Sequence, residues 1–561
     1  MIFGRPHRSV DDAVPPPSRP ALGRTDGPGQ GEAASTSDSG APADAGQDTG
    51  QPDVAGSEQG LGASAARGVL WMTAQKWMTR LGGLVTIVVL TRFLAPEDFG
   101  VVAAAMTVIP FVYLLSDMGF SAYVVQAKSA DQALLSTSFW FSCVAAGVLG
   151  GLLFALAPAF ALVFGIDEVT AVLRALVPSI LFVGLQAVPV ALLRRRMQFR
   201  ALAAQTAVAA AIAQVVAIVL ALTGAGVWAL VFQQLVSQGV SAGMAWWASR
   251  WRPSLRFARR ELAAMTRFGG QVVSVELVAA TRGWAEAAII TNVLGAAALG
   301  YLTIARRLVD VTSDMSAAAI LPVSTVVFAR VRESLGRLRA AYLRALGTSY
   351  GTVSLPLTFV AVSAPLVVPL VFGEGWDQSI VLAQALALAG VLTLGAMLDH
   401  GLFYGLGKPG TWLAYAIVVD ALTLATTAVC VRWGLIGVAL GFLSVALLAT
   451  VSRWVLVGRT LAVRVGVVAR PFARLLPVMV GVVLAGQGTI LLTDALPSIL
   501  ALACVGLVML LVHVGLVRLL APAVYLDVVR ALRLRSAMSR LRAVLRPRAE
   551  RARPPGSGAE H

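Results

Sequence analysis

Arg306, Asp310 and Asp314 stand at i, i+4 and i+8 in the stretch ARRLVDVTSDM (305–315), with Arg307 beside them. On a helix the three form one charged stripe. Upstream, the apolar segment QVVSVELVAATRGWAEAAII (271–290) carries Glu276, Arg282 and Glu286. Nearer the N-terminus Lys76 and Arg80 repeat the i,i+4 spacing, and Asp117 follows in the next apolar segment. Guanidinium groups match phosphate and carboxylate oxygens, and a lysine supplies a point charge. The chemistry these residue types offer is the holding of an anion, with Asp117, Asp310 and Asp314 as candidates for coupling to protons or Na⁺. A structural alternative stands beside it: Arg282 with Glu286, and Arg306 or Arg307 with Asp310, as intrahelical ion pairs, while Lys76 and Asp117 reach for water from helix ends.

The elements that must position these charges are membrane helices. Of the 561 residues 57% are hydrophobic and the mean hydropathy is +0.78, too apolar for a soluble globular chain. Crossing a bilayer as a helix takes about 20 residues, and the sequence offers fourteen such segments. The first six are 68–91, 99–124, 136–164, 171–193, 201–223 and 226–248. Six more are 268–293, 297–328, 342–372, 380–405, 411–431 and 434–457, and the last two are 472–493 and 497–520.

Arginine sets the orientation, because cytoplasmic loops retain positive charge. Loops after even-numbered spans read RRRMQFR (194–200), RWRPSLRFARRELAAMTR (250–267), RVRESLGRLRAAYLR (330–344) and GRTLAVRVGVVARPFAR (458–474). Those after odd-numbered spans hold only Arg92 and Arg432. Both termini are therefore expected on the cytoplasmic side of a bacterial plasma membrane, and these arginines are expected to anchor loops on anionic headgroups. The N-terminal stretch 1–65 has nine acids against four arginines and reads as a disordered cytoplasmic tail. The C-terminal 523–561 reads as a basic tail with an amphipathic helix lying on the inner leaflet.

A repeat organises the spans. TRFLAPEDFG (91–100) and TNVLGAAALG (291–300) share Thr, Leu and Gly at an offset of 200, and Ser-Asp-Met recurs at 116–118 and 313–315. An even number of crossings separates the copies, so they are parallel, related by an axis along the membrane normal. The expected architecture is an all-α polytopic protein of two pseudosymmetric six-helix bundles, 66–250 and 251–460, plus two extra helices in 461–522. The two bundles enclose a central cavity, and the first two helices of each bundle, which carry the candidate charges, face one another. An ionisable residue inside a bilayer faces such a cavity or a partner. Arginine and lysine there leave water at lower cost if an anionic ligand completes the pairing.

Other chemistries find little support. GLGKPG (405–410) satisfies G-x-G-x-x-G but sits between two apolar helices with no strand before it. No P-loop occurs, so this chain by itself should not hydrolyse ATP. Cys143, Cys430 and Cys504 lie inside apolar segments, and the four histidines are dispersed, so neither a disulfide framework nor a zinc motif is expected. The net charge of +16 is spread over short inter-helix loops, which argues against nucleic acid. No cofactor is expected.

The segments LTRFLAPEDFGVVAAA, SDMGFSAYVVQ, LLRRRMQFR, GVWALV, VLGAAALGYLTIARRL and LVFGEGWDQSIVLAQALALAG occur in this order between residues 90 and 390. On them the chain, from about residue 66 to 460, resembles the polysaccharide-transport branch of the multidrug/oligosaccharidyl-lipid/polysaccharide (MOP) exporter superfamily, the Wzx-type oligosaccharide flippases. The resemblance implies alternating access around a cationic cavity and movement of a polyprenyl-pyrophosphate-linked glycan from the inner to the outer leaflet. It implies a transporter, not an enzyme, working as a monomer among membrane lipids, with glycosyltransferases and a polymerase of the same pathway as candidate partners. The quoted motifs are not substrate-binding residues; on the helix argument above, the cavity cations expected here are Lys76, Arg80, Arg282, Arg306 and Arg307. A cation-coupled drug antiporter shares the architecture but would favour an acidic cavity, and a membrane glycan polymerase or ligase would need a larger outward loop.

Overall fold

The computed structural model describes residues 78–80, 82–117, 119–127, 130–255, 281–317 and 327–530. Lys76, Glu276, the acidic N-terminal stretch and the tail from 531 onward lie outside the described residues. By its contacts the chain divides into Met1–Gln59 and Gly60–His561, and every described residue belongs to the second unit.

Every described element is helical. The first group comprises α1 (Met78–Leu90), α2 (Pro96–Asp117), α3 (Phe120–Gln126), α4 (Gln132–Phe164), α5 (Glu168–Arg195), α6 (Phe199–Leu222) and α7 (Val227–Ser249). There follow α8 (281–294), α9 (Ala296–Ala317), a short α10 (327–331), α11 (Leu335–Phe372), α12 (Gln378–Thr393) and α13 (Gly395–Gly405). The chain continues through α14 (Pro409–Cys430), α15 (Gly434–Thr460), α16 (Val465–Leu492), α17 (Ser498–Leu520) and a last short helix, α18 (522–530). Caps mark the sharp ends: the Asp131 side chain accepts from Leu134 N at the start of α4, and Gly165 closes it at φ +66°.

Nine stretches among the described residues are long and apolar enough to cross a membrane, and one of them, Pro409–Thr460, holds both α14 and α15. Helices α7 and α9 fall short of that apolarity because they carry the amides and charges described below. Fourteen crossings remains the sequence's expectation. Large side chains stay on the outer surface, among them Leu484, Leu491, Leu492 and Leu519, as they do when lipid rather than water surrounds the helices. The chain is an all-α polytopic membrane protein.

The packing has a polarity that decides where a ligand can go. At the end holding the turns at 91–95, 165–167, 295, 373–377 and 431–433, one continuous core joins the two groups. It runs through Leu90, Phe99, Phe164, Ile290, Leu302, Phe372, Trp376 and Val438. Toward the arginine-rich end the core splits: Val124, Phe139, Leu192 and Trp251 belong to the first group alone, and Tyr342, Leu398, Val457 and Val468 to the second. The molecule is closed at one end and divided at the other.

The repeated glycines make the closed end. A Cβ on Gly100 would lie 1.8 Å from Ala296 O, and one on Gly300 would lie 2.0 Å from Pro96 O. Each contact is the other displaced by 200 residues, the mark of a two-fold relation between α2 and α9. Only glycine lets helix backbones come this close. Trp376 seals the same end: its ring meets Phe99 edge-on at 5.3 Å and Tyr301 at 5.9 Å, and its Nε1 donates to Thr91 O at 3.2 Å.

Candidate functional site

Gly300 presses the start of α9 against α2, so the residues one and two turns further along emerge where the two groups diverge. Thr303, Ile304, Arg306, Arg307 and Asp310 form one wall of a hollow of about 600 Å³. Facing them are Gly83 and Ile87 of α1, Ala103 and Met106 of α2, Gln214 of α6, and Gln233, Gln234 and Ser237 of α7. Arg306 and Asp310 thus share a face, as the i,i+4 spacing predicts. Arg307 is exposed, forms no ion pair among the described residues, and points at Gly83, where a Cβ would stand 3.0 Å from its Nη2. Gly83 gives that guanidinium room.

Arg306 is held differently. It pairs with Glu286 of α8, and its guanidinium lies 5.4 Å over the Phe442 ring. Glu286 is 1% exposed and also accepts from Arg282 Nη1 at 2.8 Å, while Arg282 Nε lies 3.0 Å from Asp420 Oδ1 of α14. The chain Arg306, Glu286, Arg282, Asp420 alternates in sign and sums to zero. Two guanidiniums on one buried carboxylate offset its loss of water. Arg282 is therefore engaged in a structural tie between α8 and α14 and is not among the residues lining the hollow.

The remaining sequence candidates are scattered. Arg80 is half-buried on α1, one turn before Gly83. Asp314 is on α9 one turn beyond Asp310. Asp117 does not share the hollow: it accepts from Ser121 Oγ at 2.6 Å and lines a separate cavity of about 410 Å³ within the first group, beside Arg194, Gln186, Gln205 and Ser241. On α2 Asp117 stands about three turns beyond Met106, the last α2 residue lining the hollow, with Pro110 between them. Asp117 thus lines the first-group cavity, and the α9 charges Arg306, Arg307 and Asp310 line the hollow. Among the described residues no three His, Cys, Asp or Glu side chains converge as a metal site requires.

A search confined to charges overlooks the uncharged polar wall. Gln233, Gln234 and Ser237 lie on α7, and the same helix continues the polar face with Gln238 and Ser241 into the first-group cavity. There Gln205 Nε2 donates to Ser241 Oγ at 2.8 Å, Ser241 Oγ to Gln186 Oε1 at 2.9 Å, and Gln186 Nε2 to Gln238 Oε1 at 3.0 Å. The signal was present in FQQLVSQGVSA (232–242), five polar side chains in an otherwise apolar span. A second overlooked set is fully buried: Arg453 Nη1 is 2.8 Å from Asp399 Oδ2, Tyr342 donates to Asp399 Oδ1, and Arg453 Nη2 reaches Tyr350 Oη at 3.4 Å. Arg453 is 1% exposed and Asp399 0%, and neither lines the hollow.

Comparison with known proteins supports this architecture. The family model described as "Polysaccharide biosynthesis protein" matches residues 89–381, a little over half of the chain. The succinoglycan biosynthesis transport protein ExoT of Rhizobium meliloti (strain 1021) is 28% identical over 337 residues, covering 59% of this chain and 67% of that protein. The lipopolysaccharide biosynthesis protein WzxC of Escherichia coli (strain K12) is 24% identical over 374 residues, 65% of this chain and 74% of that one. Among solved structures, the lipid II flippase MurJ in an inward closed conformation aligns with a TM-score of 0.65 at 15% identity, covering 82% of this chain and 100% of that one. An inward-facing multidrug resistance MATE family transporter of the MOP superfamily aligns with a TM-score of 0.56 at 20% identity, over 70% of this chain and 96% of that one. At these identities the solved structures establish the fold alone.

Proposed function

Because this chain belongs to the polysaccharide biosynthesis protein family, we propose that it is a flippase carrying a polyprenyl-pyrophosphate-linked oligosaccharide from the cytoplasmic to the outer leaflet of a bacterial plasma membrane. It acts as a transporter, with both termini cytoplasmic, and makes or breaks no covalent bond. The observation that carries this reading is the hollow between the groups, where arginine faces a wall of amides. A glycan hydroxyl both donates and accepts, and a glutamine side chain does the same. A pyrophosphate needs a guanidinium whose charge is not already spent, and Arg307 supplies one, whereas Arg306 is partnered by Glu286. The isoprenoid chain stays in lipid between the separated helices. Opening of the closed end and closing of the divided one then presents the head group outward.

Mass spectrometry of lipid extracts tests this. Cells lacking the chain are expected to accumulate a polyprenyl-pyrophosphate glycan, and its mass identifies the sugar. Arg307→Gln is expected to slow transport about tenfold, the loss of one charge-assisted contact, and to accumulate the same lipid. Arg306→Ala alone would leave the buried Glu286 with one cation, Arg282, in place of two, so it is paired with Glu286→Gln. No accumulation in either strain would turn the reading toward a small-molecule antiporter of the same fold.

No ATP motif is present, so directional bias comes from the membrane potential, an ion gradient or consumption of product. Asp310, on the wall of the hollow, and Asp314 and Asp117 are the carboxylates proposed to couple to protons or Na⁺. The triple replacement Asp117→Asn, Asp310→Asn, Asp314→Asn is expected to abolish the sensitivity of transport to an ionophore. Unchanged transport with unchanged sensitivity would end the coupling idea.

A further inference from the structure

Four arginines from three helices meet around one hollow that shares no residue with the site above. Arg470 and Arg474 stand one turn apart near the start of α16, Arg344 comes from α11, and Arg530 from the end of α18. They ring a space of about 750 Å³ whose wall is apolar: Leu343, Pro471, Leu475 and Val524. Val524 is seated by glycine, since a Cβ on Gly351 would lie 2.5 Å from it. The site sits at the arginine-rich end of α11, away from Phe372 at the closed end.

The one carboxylate in the ring, Asp527, lies 3.6 Å from Arg344 and 3.9 Å from Arg530. Arg470 and Arg474 have no ion pair among the described residues, and both are exposed. Topology requires positive charge in loops, but it does not require charges from α11, α16 and α18 to converge on a shared space with an apolar wall. Leu520 and Leu526 of its lining stand exposed, so the space offers apolar surface beside its charges. An occupant must bring a negative head and an apolar body.

We propose that this hollow binds the phosphate headgroup of an anionic membrane lipid, with Arg470 and Arg474 on the phosphate and Arg344 and Arg530 at the rim. Each guanidinium presents a fork of donors that matches phosphate oxygens, and two of them one turn apart can share one phosphate. The site is independent of the transported substrate: it shares no residue with the hollow between the groups.

The test is lipid binding by the full-length protein in neutral detergent, read by native mass spectrometry and by thermal shift. Mixed micelles containing phosphatidylglycerol are compared with micelles containing phosphatidylcholine, and inorganic phosphate is titrated separately. The intact protein is expected to retain and be stabilised by phosphatidylglycerol in preference to phosphatidylcholine. Arg470→Gln with Arg474→Gln is expected to weaken that binding roughly thirtyfold, two interfacial arginines lost. Arg250→Gln with Arg252→Gln, which removes the same charge at the end of α7, is expected to leave it unchanged. An equal loss in both variants would show diffuse charge attraction and overturn the site. Equal binding of both lipids would overturn it too, and stabilisation by inorganic phosphate alone would make it a solute site rather than a lipid one.

Discussion

Arg453→Met is expected to cost about 3–5 kcal/mol of stability, because it leaves the Asp399 carboxylate buried without its cation. The two side chains are 1% and 0% exposed, and their pairing is part of a larger knot. Helix α12 ends at Thr393, α13 begins at Gly395, and at this break the Leu392 carbonyl accepts from Thr450 Oγ1 at 3.0 Å, Tyr350 Oη at 3.3 Å and Arg453 Nη2 at 3.3 Å. One guanidinium thus holds a carboxylate, a phenol and an interrupted helix together. Gly395 is where its space comes from: a Cβ there would stand 2.0 Å from Arg453 Nη1. The measurement is the fraction of monodisperse protein in detergent after heating. Arg453→Met should show the largest loss, Tyr342→Phe a smaller one of about 1 kcal/mol, and Arg453→Met with Asp399→Leu a partial recovery. A heating curve for Arg453→Met that matches the unaltered protein would mean the pair is not the staple described.

Gly100→Ala and Gly300→Ala are expected to break the closed end. Backbone atoms at 1.8 and 2.0 Å cannot remain beside a new methyl carbon, since real contacts essentially never fall under 3.0 Å, so α2 and α9 must part by about an ångström. No flexible side chain is available to yield; the atoms in the way are the Ala296 and Pro96 carbonyl oxygens. If the end opens and closes during transport, even about 1.4 kcal/mol of strain shifts the two populations tenfold. Ala103→Cys, in a background without Cys143, Cys430 and Cys504, reports this, because Ala103 faces the hollow beside the closed end. Labelling from outside by a membrane-impermeant thiol reagent should rise about tenfold with either glycine replaced, and transport should fall. Unchanged labelling together with unchanged transport would show that the glycine contact is not a gate.

Individual residues show how far local sequence reaches. The i,i+4 spacing of Arg306 and Asp310 placed them on one wall, because helix geometry alone fixes which neighbours share a face. That reasoning fails once a partner comes from elsewhere. Arg282 was legible as a partner of Glu286, but its second bond is to Asp420, 138 residues away by their numbers. Asp117 was legible as an intramembrane acid, yet which cavity it lines depends on α2 beyond Pro110. The amides of α7 stand in the sequence with nothing to mark them as a wall of the hollow, since burying a neutral side chain costs less than burying a charge. Asp399 and Arg453 were equally visible, each a lone charge in an apolar span, but nothing local joins them across 54 positions.

By itself the sequence determined that the chain is helical, that it lives in a membrane, and that short stretches recur at an offset near 200, because hydropathy, helical period and repeat offset are properties of neighbouring residues or of simple alignment. Only the tertiary structure decided that the repeated glycine is a backbone contact, that Arg306 and Arg307 line the hollow while Arg282 is tied to Glu286 and Asp420, and that four arginines from three helices share one space. The physical reason is common to all three. Which way a helix face turns, and what meets it, is set by packing against elements hundreds of residues away, and that packing is written in no local stretch of the chain.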